Sequence, residues 1–364
     1  MGFWKGAVEN MVTNYQFWKS KRVLVTGHTG FKGAWLSSIL ASWGSNVKGI
    51  SLEPPTKINL FSELGISGSI DHQILDIRNF SELKKSIVAF NPEIVLHLAA
   101  QPLVRYSYDF PLETYETNVM GTANVLEALR SVPAVKSIVV VTTDKCYENK
   151  EWDWGYREND PMGGYDPYSS SKGCAELVTA AYRQSFFQKR PDVGLASARA
   201  GNVIGGGDWA LDRLVPDLIQ ALDEGRKVEI RSPQSVRPWQ HVLEPIGGYL
   251  LLAEKLYEQP QKFSQGYNFG PEDSGCVTVE VIADTVCNLW GKPHFWTNTS
   301  VANVHEAKLL KLDISKVRNQ LKWAPKWDIS TTLKNTVDWY KQFYDKQNVK
   351  SLTSLQIANY FGIN

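Results

Sequence analysis

The sequence predicts an α/β fold: a doubly wound parallel sheet with a smaller, interleaved C-terminal substrate domain. Three observations carry this reading. A glycine-rich loop follows the first apolar strand, strand-like and helix-like stretches alternate over the first 200 residues, and the strands are continuous apolar runs. Alternating strands and helices build a parallel sheet of Rossmann type. Strands without period-two alternation are those covered on both faces.

The elements follow in order. Residues 21–26 form a strand that runs into Gly27, helix-like residues 34–43 end at Gly44, and a second strand at 47–52 closes a βαβ unit of about 30 residues. Strand-type runs recur at 73–75, 94–99, 138–142 and 194–198, separated by amphipathic stretches at 81–90, 117–130 and 170–189. Past residue 200 the rhythm changes at Gly205-Gly206-Gly207, and shorter elements follow in mixed order. Residues 18–200 therefore read as the dinucleotide-binding domain and 201–345 as the smaller one. A return to the main sheet is expected near 236–270, at Gly266-Tyr267-Asn268-Phe269-Gly270. The 13 Trp read as core or interface residues, since each buries a large area.

Composition narrows the function classes. With 43% hydrophobic and 21% charged residues, the 364-residue chain is globular in character. Lys plus Arg (39) nearly balance Asp plus Glu (38), so the basic field of a nucleic-acid or acidic-membrane binder is missing. Cys146, Cys174, Cys276 and Cys287 form no CxxC pair and no Cys/His cluster, which points to free thiols in a reducing compartment and no metal. Residues 1–21 lack the apolar core of a secretory signal. Gly6 stands where a myristoylation motif needs Ser or Thr. No apolar run reaches the roughly 18 residues of a membrane span. The expectation is a cytoplasmic protein with neither a membrane nor a nucleic-acid partner.

The loop Gly27-His28-Thr29-Gly30-Phe31-Lys32-Gly33 places glycines three apart. The first permits a tight turn, the second lets backbone approach a pyrophosphate, and the third lets helix and strand pack closely. The phosphates would sit at a helix N-terminus. A plain glycine turn has the same spacing, but the flanking strand and helix favour a dinucleotide. Glu53, 20 residues after Gly33 at the end of the second strand, suits the ribose hydroxyls better than it suits the alternative, a solvated loop carboxylate. No Arg stands there for a 2′-phosphate, although Lys57 is near, so NAD is expected over NADP. Asp76, beside Ile77, is a candidate for the adenine amine or a simple turn residue.

Tyr168-Ser169-Ser170-Ser171-Lys172 puts a phenol and an ammonium on one helix face, where the cation can lower the phenol pKa and make it a base. Tyr15-x-x-x-Lys19 repeats the spacing, but it precedes the first strand and is set aside as chance. Tyr168 follows the strand at 138–142, which ends in Thr142-Thr143-Asp144-Lys145. Ligands in such sheets lie at the carboxyl ends of strands.

Gly27-x-x-Gly30-x-x-Gly33, Leu98-Ala99-Ala100-Gln101, Asn118, Thr143, Tyr168 and Lys172 resemble the extended short-chain dehydrogenase/reductase family over about residues 20–330. Longer motifs resemble its CDP-glucose 4,6-dehydratase branch. They are Gln101-Pro102-Leu103-Val104-Arg105, Thr143-Asp144-Lys145-Cys146-Tyr147, Gly163-Gly164-Tyr165-Asp166-Pro167-Tyr168, the stretch from Gly201-Asn202 to Asp208-Trp209, and Arg237-Pro238-Trp239-Gln240-His241-Val242. The resemblance implies NAD held by Gly27, Thr29, Gly30, Phe31, Gly33, Glu53, Asp76, Ile77, Leu98, Ala99, Ala100, Gln101, Asn118, Tyr168 and Lys172. It implies oxidation of a nucleotide sugar at C4 by Tyr168 with Lys172 and Thr143, loss of water across C5 and C6, and hydride return to C6, as used in making deoxysugars for surface polysaccharide such as lipopolysaccharide O-antigen.

Asp144 would be the acid for the 6-hydroxyl. Related dTDP-glucose enzymes carry a Glu base where Lys145 stands, so Lys145 is either the C5 base or a cation stabilising the enolate. Arg237 would contact the substrate pyrophosphate, with Asn202, Arg105 and Arg231 as further substrate contacts. Relatives pair through helices such as 117–130 and 170–189, which implies a homodimer or homotetramer. A C4 epimerase or reductase of the same fold needs no acid/base pair beside Thr143, and a non-catalytic NAD-binding regulator would not need Thr143, Tyr168 and Lys172 together.

Overall fold

The computed structural model describes residues 13–299 and 308–363; the reading of residues 1–12 as lacking a signal lies outside them. Seven strands form the main sheet: β1 (Arg22–Thr26), β2 (Asn46–Ser51), β3 (Asp71–Ile74), β4 (Ile94–His97), β5 (Ser137–Val141), β6 (Gly194–Ala200) and a late strand, Gly266–Phe269. Three short strands precede that late one: β7 (Asn202–Ile204), β8 (Val228–Ile230) and β9 (Val236–His241). The late strand is therefore β10, and β11 (Cys276–Thr278) and β12 (Trp296–Asn298) follow. The main sheet runs β10-β6-β5-β4-β1-β2-β3 and every pair in it is parallel. The order reverses between β1 and β4, the switch point at which such sheets bind ligands.

Burial explains the lack of alternation in the strands. Val23 and Val25 enter one core cluster and Leu24 the other; Ile94 and Leu96 oppose Val95 in the same way, and Val139 and Val141 oppose Ile138 and Val140. One face is covered by α1 (Phe31–Ser42), and the other by α2 (Phe80–Phe90) and α3 (Gly121–Leu129). The larger cluster continues without a break into the C-terminal half, through α5 (Leu214–Glu224), α6 (Leu243–Glu258), α7 (Val279–Trp290) and α8 (Ile329–Tyr344); α4 (Pro167–Ser185) lies before them in the chain. Trp18, Trp35 and Trp339 are fully buried in that cluster, whereas Trp154 is exposed.

The structure departs from the sequence reading in local ways. The expected helix at 117–130 is two pieces: a π-helical turn over Glu116–Met120, then α3. The expected helix at 170–189 begins at Pro167 and ends at Ser185. Asp166 caps it by accepting from Ser169 N (2.9 Å), with Pro167 in the first turn, a start signal present in the sequence. Beyond residue 345 lies α9 (Val349–Phe361), tied back by Trp339 Nε1 donating to Thr353 Oγ1 at 2.9 Å. Tyr15 and Lys19 are exposed residues at a short helix, Tyr15–Trp18, away from the cavity described below.

Candidate active site

At the carboxyl ends of β1, β4 and β5 a cavity of about 1280 Å³ opens between the main sheet and the later elements. A single small-ligand site usually takes roughly 300–1,000 Å³, so this space suits two ligands side by side.

One end is made of backbone. Gly27 leaves β1 at φ +79°, and a Cβ there would lie 2.7 Å from Ala99 N. A Cβ on Gly33 would lie 2.0 Å from Gly27 O, so the turn of the loop and the start of α1 close only around glycine. Gly30 caps α1 and has only Gly27 O near its Cβ position, at 3.5 Å. Thr29 Oγ1 donates to Leu52 O (2.9 Å) and sits 2.8 Å from Ser51 Oγ, pinning the loop to the end of β2. Thr29, Phe31, Ile77, Leu98, Ala99 and Ala100 join the glycines on the wall, with Glu53 at its exposed edge. Asp76 lines it too, but its carboxylate closes a turn: it accepts from Arg78 N (2.8 Å), Nε (2.8 Å) and Nη2 (2.6 Å), and Arg78 holds it below the usual carboxylate range against the effect of burial.

Two expected cofactor contacts stand elsewhere. Gln101 and Asn118 are behind the wall: Gln101 N donates to Asn118 Oδ1 (2.8 Å), and Asn118 Nδ2 donates to Gln101 O (3.1 Å) and Ser171 Oγ (2.8 Å). They brace the loop after β4 against α4. Asn118 sits on the π-helical turn, a feature frequent at functional sites.

The middle of the cavity carries Thr143, Asp144, Lys145, Tyr168 and Lys172. Thr143 Oγ1 donates to Asp144 Oδ1 at 2.9 Å and is hydrogen-bonded to the Tyr168 hydroxyl. Asp144 is buried, and its Oδ2 has no protein partner. Gly201 keeps room for it, since a Cβ there would stand 3.0 Å from that oxygen and 2.5 Å from Pro238 Cγ. Burial pushes the Asp144 carboxyl up, opposed by Lys145, Thr143, Arg237 and Lys32. Lys145 is half-buried beside it.

Tyr168 is buried, which pushes its phenol up to about 12; the Thr143 hydrogen bond and the Arg213 charge work in the other direction. Lys172, expected to act on the phenol, lies one turn beyond Tyr168 on the same helix. Its Nζ turns toward Val141 O (3.5 Å), and burial draws the ammonium down to about 8. The same helix face carries both residues, and the lysine reaches the end of β5.

The far end is made of charged side chains. Arg237 Nη1 donates to Val236 O (2.9 Å) and Lys308 O (3.4 Å). Arg105 and Arg231 both face Asp212, at 3.2 and 3.7 Å, across the cavity mouth, and Asn202 lines the wall at the start of β7. Sequence reasoning missed three wall residues. Lys32, inside the glycine loop, is drawn down to about 8 by desolvation and by the Arg213 and Lys172 charges. Asp208 and Arg213 pair at 2.6 Å. All three lay within or beside motifs read for their glycines, so their side chains drew no notice.

The family model for GDP-mannose 4,6 dehydratase matches residues 24–336. A CDP-glucose 4,6-dehydratase of Salmonella typhimurium is 52% identical over 348 residues, covering 94% of this chain and 97% of that one. A UDP-glucuronate 4-epimerase of Thermodesulfobacterium geofontis is 25% identical, covering 92% and 99%. Among solved structures, a UDP-glucose 4-epimerase of Thermotoga maritima superposes with a TM-score of 0.78 at 20% identity, covering 89% and 99%. A dTDP-glucose 4,6-dehydratase of Streptomyces venezuelae, solved with NAD, gives 0.77 at 21%, covering 91% and 99%. At these identities the two structures establish the fold.

Proposed function

The chain belongs to the GDP-mannose 4,6-dehydratase family, and on that premise we propose that it is an NAD-dependent enzyme converting CDP-glucose to CDP-4-keto-6-deoxyglucose. The observation that carries this reading is a single convergence: a buried tyrosine suited to oxidation at C4 shares Thr143 with a buried carboxyl suited to expelling water. A C4 epimerase has no use for the second group. The relative that is 52% identical is a CDP-glucose enzyme, which supports the choice of nucleotide.

The glycine cradle fits a dinucleotide, because Gly27 and Gly33 leave no room for a Cβ while Gly30 leaves backbone open to the cavity. NAD bound there supplies the acceptor that takes hydride from C4 and gives it back at C6. Tyr168 takes the proton of the 4-hydroxyl, with Thr143 and the Arg213 charge working against the rise that burial imposes on its phenol. Asp144, whose carboxyl burial pushes up, serves as the acid that gives its proton to the departing 6-hydroxyl, which leaves as water. Lys145, adjoining it, takes the C5 proton when its amine is neutral; as a cation it stabilises the enolate while that proton passes to water. Arg237, Arg231, Arg105 and Asn202 hold the diphosphate and ribose, the guanidinium groups suiting bidentate contact.

We further propose a cytoplasmic homodimer or homotetramer serving deoxysugar synthesis for surface polysaccharide such as O-antigen. The free thiols Cys146, Cys174, Cys276 and Cys287 support a reducing compartment. No helix among the described residues is long and apolar enough to cross a membrane. The test is turnover of CDP-, dTDP-, UDP- and GDP-glucose, assayed for 4-keto product. CDP-glucose should turn over fastest; faster turnover of dTDP-glucose would overturn the choice of nucleotide and leave the dehydration standing.

A further inference from the structure

We propose that His97 is a positioning residue for the hydride acceptor: as the neutral tautomer with its proton on Nε2, it fixes Ala99 on the cofactor wall and ties that wall to the turn of α4 that carries Tyr168. This rests on the reading of the glycine cradle as a dinucleotide site.

His97 and Thr26 are register partners and the last residues of β4 and β1, side by side where the strand order reverses. His97 is 2% exposed, and Thr26, Thr122, Asn118 and Ser171 are buried with it. His97 Nδ1 lies 2.6 Å from Thr26 Oγ1, and Nε2 lies 3.1 Å from Thr122 Oγ1. The other partners of the two hydroxyls fix which nitrogen carries the proton. Thr122 Oγ1 donates to Asn118 O (2.7 Å), so its hydrogen is spent and it accepts from Nε2–H. Thr26 Oγ1 accepts from Ala99 N (3.2 Å), and its own hydrogen goes to a bare Nδ1. With a proton on Nδ1, or on both nitrogens, the Thr26 hydrogen would have no acceptor among these groups, a costly state in a buried site. Burial, with Lys172 as the charged group facing the ring, draws the imidazole down to about 3, in keeping with a neutral ring.

Every bond in the chain then runs in one direction. Ala99 N donates to Thr26, Thr26 to His97, His97 to Thr122, and Thr122 to Asn118 O. Asn118 Nδ2 donates to Ser171 Oγ (2.8 Å), which donates to Tyr168 O (2.7 Å). The chain joins the cofactor wall to the helix turn of Tyr168. At its near end, Ala99 N is the atom that a Cβ on Gly27 would meet at 2.7 Å, so a shift of Ala99 changes the space beside the glycine turn. His97 does not line the cavity; it acts through Ala99 and Thr122.

Two measurements test this. In ¹⁵N NMR of histidine-labelled protein without cofactor, His97 is assigned by the resonances missing from His97→Asn. Its Nε2 should carry the proton and its Nδ1 none, unchanged across about pH 5–8, where a free imidazole titrates. A proton on Nδ1, or a cation within that range, overturns the inference. The second measurement is NAD binding by calorimetry beside steady-state turnover. Thr26→Val, which removes the hydroxyl and keeps the shape, should weaken NAD binding about tenfold while KM for CDP-glucose stays unchanged. His97→Asn, whose amide oxygen can stand in for Nδ1, should weaken it less than His97→Leu, and serves if the Leu variant does not fold. Wild-type NAD affinity in folded Thr26→Val, or a CDP-glucose KM that rises in step with the NAD loss, overturns the inference. A wild type that binds no NAD would instead strike the reading of the cradle, a result distinct from variants that alone lose affinity.

Discussion

The two ends of the cavity are built by opposite means. At the glycine end the wall is backbone, and its shape is enforced by the close approach of Gly33 to Gly27 and of Gly27 to Ala99. At the arginine end the wall is side chains already paired with one another, Arg105 and Arg231 with Asp212 and Arg213 with Asp208. Backbone walls are rigid and tolerate little substitution, whereas paired charges exchange partners when a stronger anion arrives. The difference teaches that one end is selective by shape and the other by charge, with the reacting groups at the seam.

Disturbing the seam should cost most. Tyr168→Phe removes one hydroxyl and should lower turnover by about 10² or more, with cofactor still bound by calorimetry; near-normal turnover would remove the phenol from the chemistry. Asp144→Asn should come next, slowing water loss more than oxidation. In a single turnover with stoichiometric NAD⁺, absorbance of the reduced cofactor should build up in that variant and in Lys145→Ala, but not in Tyr168→Phe. If both stall without that absorbance, the two residues serve oxidation or binding. Because burial raises the Asp144 pKa, the carboxyl keeps its proton to higher pH than usual, and the elimination step should decline as pH rises through that value.

At the glycine end, Gly33→Ala must push the loop off α1. A loss of roughly 1–3 kcal/mol in stability, typical of overpacking, should appear in urea unfolding together with weaker cofactor binding. Unchanged cofactor affinity would mean the cradle is not shape-selective. The smallest effect belongs to the exposed arginine end. Asp212→Asn frees Arg105 and Arg231, and exposed pairs are worth about 1 kcal/mol or less, so KM for the nucleotide sugar should fall by no more than about fivefold with kcat unchanged. A rise in KM would mean that Asp212 holds the substrate and does not compete with it.

The same contrast decides what could be read from the sequence. Gly27, Gly30 and Gly33 are legible because backbone constraint leaves a spacing. The parallel sheet follows from apolar runs alternating with helical stretches, and the shared helix face of Tyr168 and Lys172 from helical periodicity. Gln101 and Asn118 were read as contacts and stand behind the wall, because a motif does not record which way a π-helical turn aims its side chains. Lys172 is correctly placed on the helix, yet its Nζ turns to Val141 O. Lys32, Asp208 and Arg213 went unread for one reason: their meaning lies in charges that the fold brings together around the cavity, and no local pattern encodes that.

The unbroken apolar cluster beneath both halves has a mechanical consequence. Val25 and Ala198 of the main sheet share it with Trp239, Val242 and Trp339 of the later elements, so the halves cannot swing apart as on a hinge without exposing that core to water. Ligand entry is therefore expected by movements of single loops and side chains at the cavity's exposed edges, and the chain should melt as one cooperative unit with a single calorimetric transition.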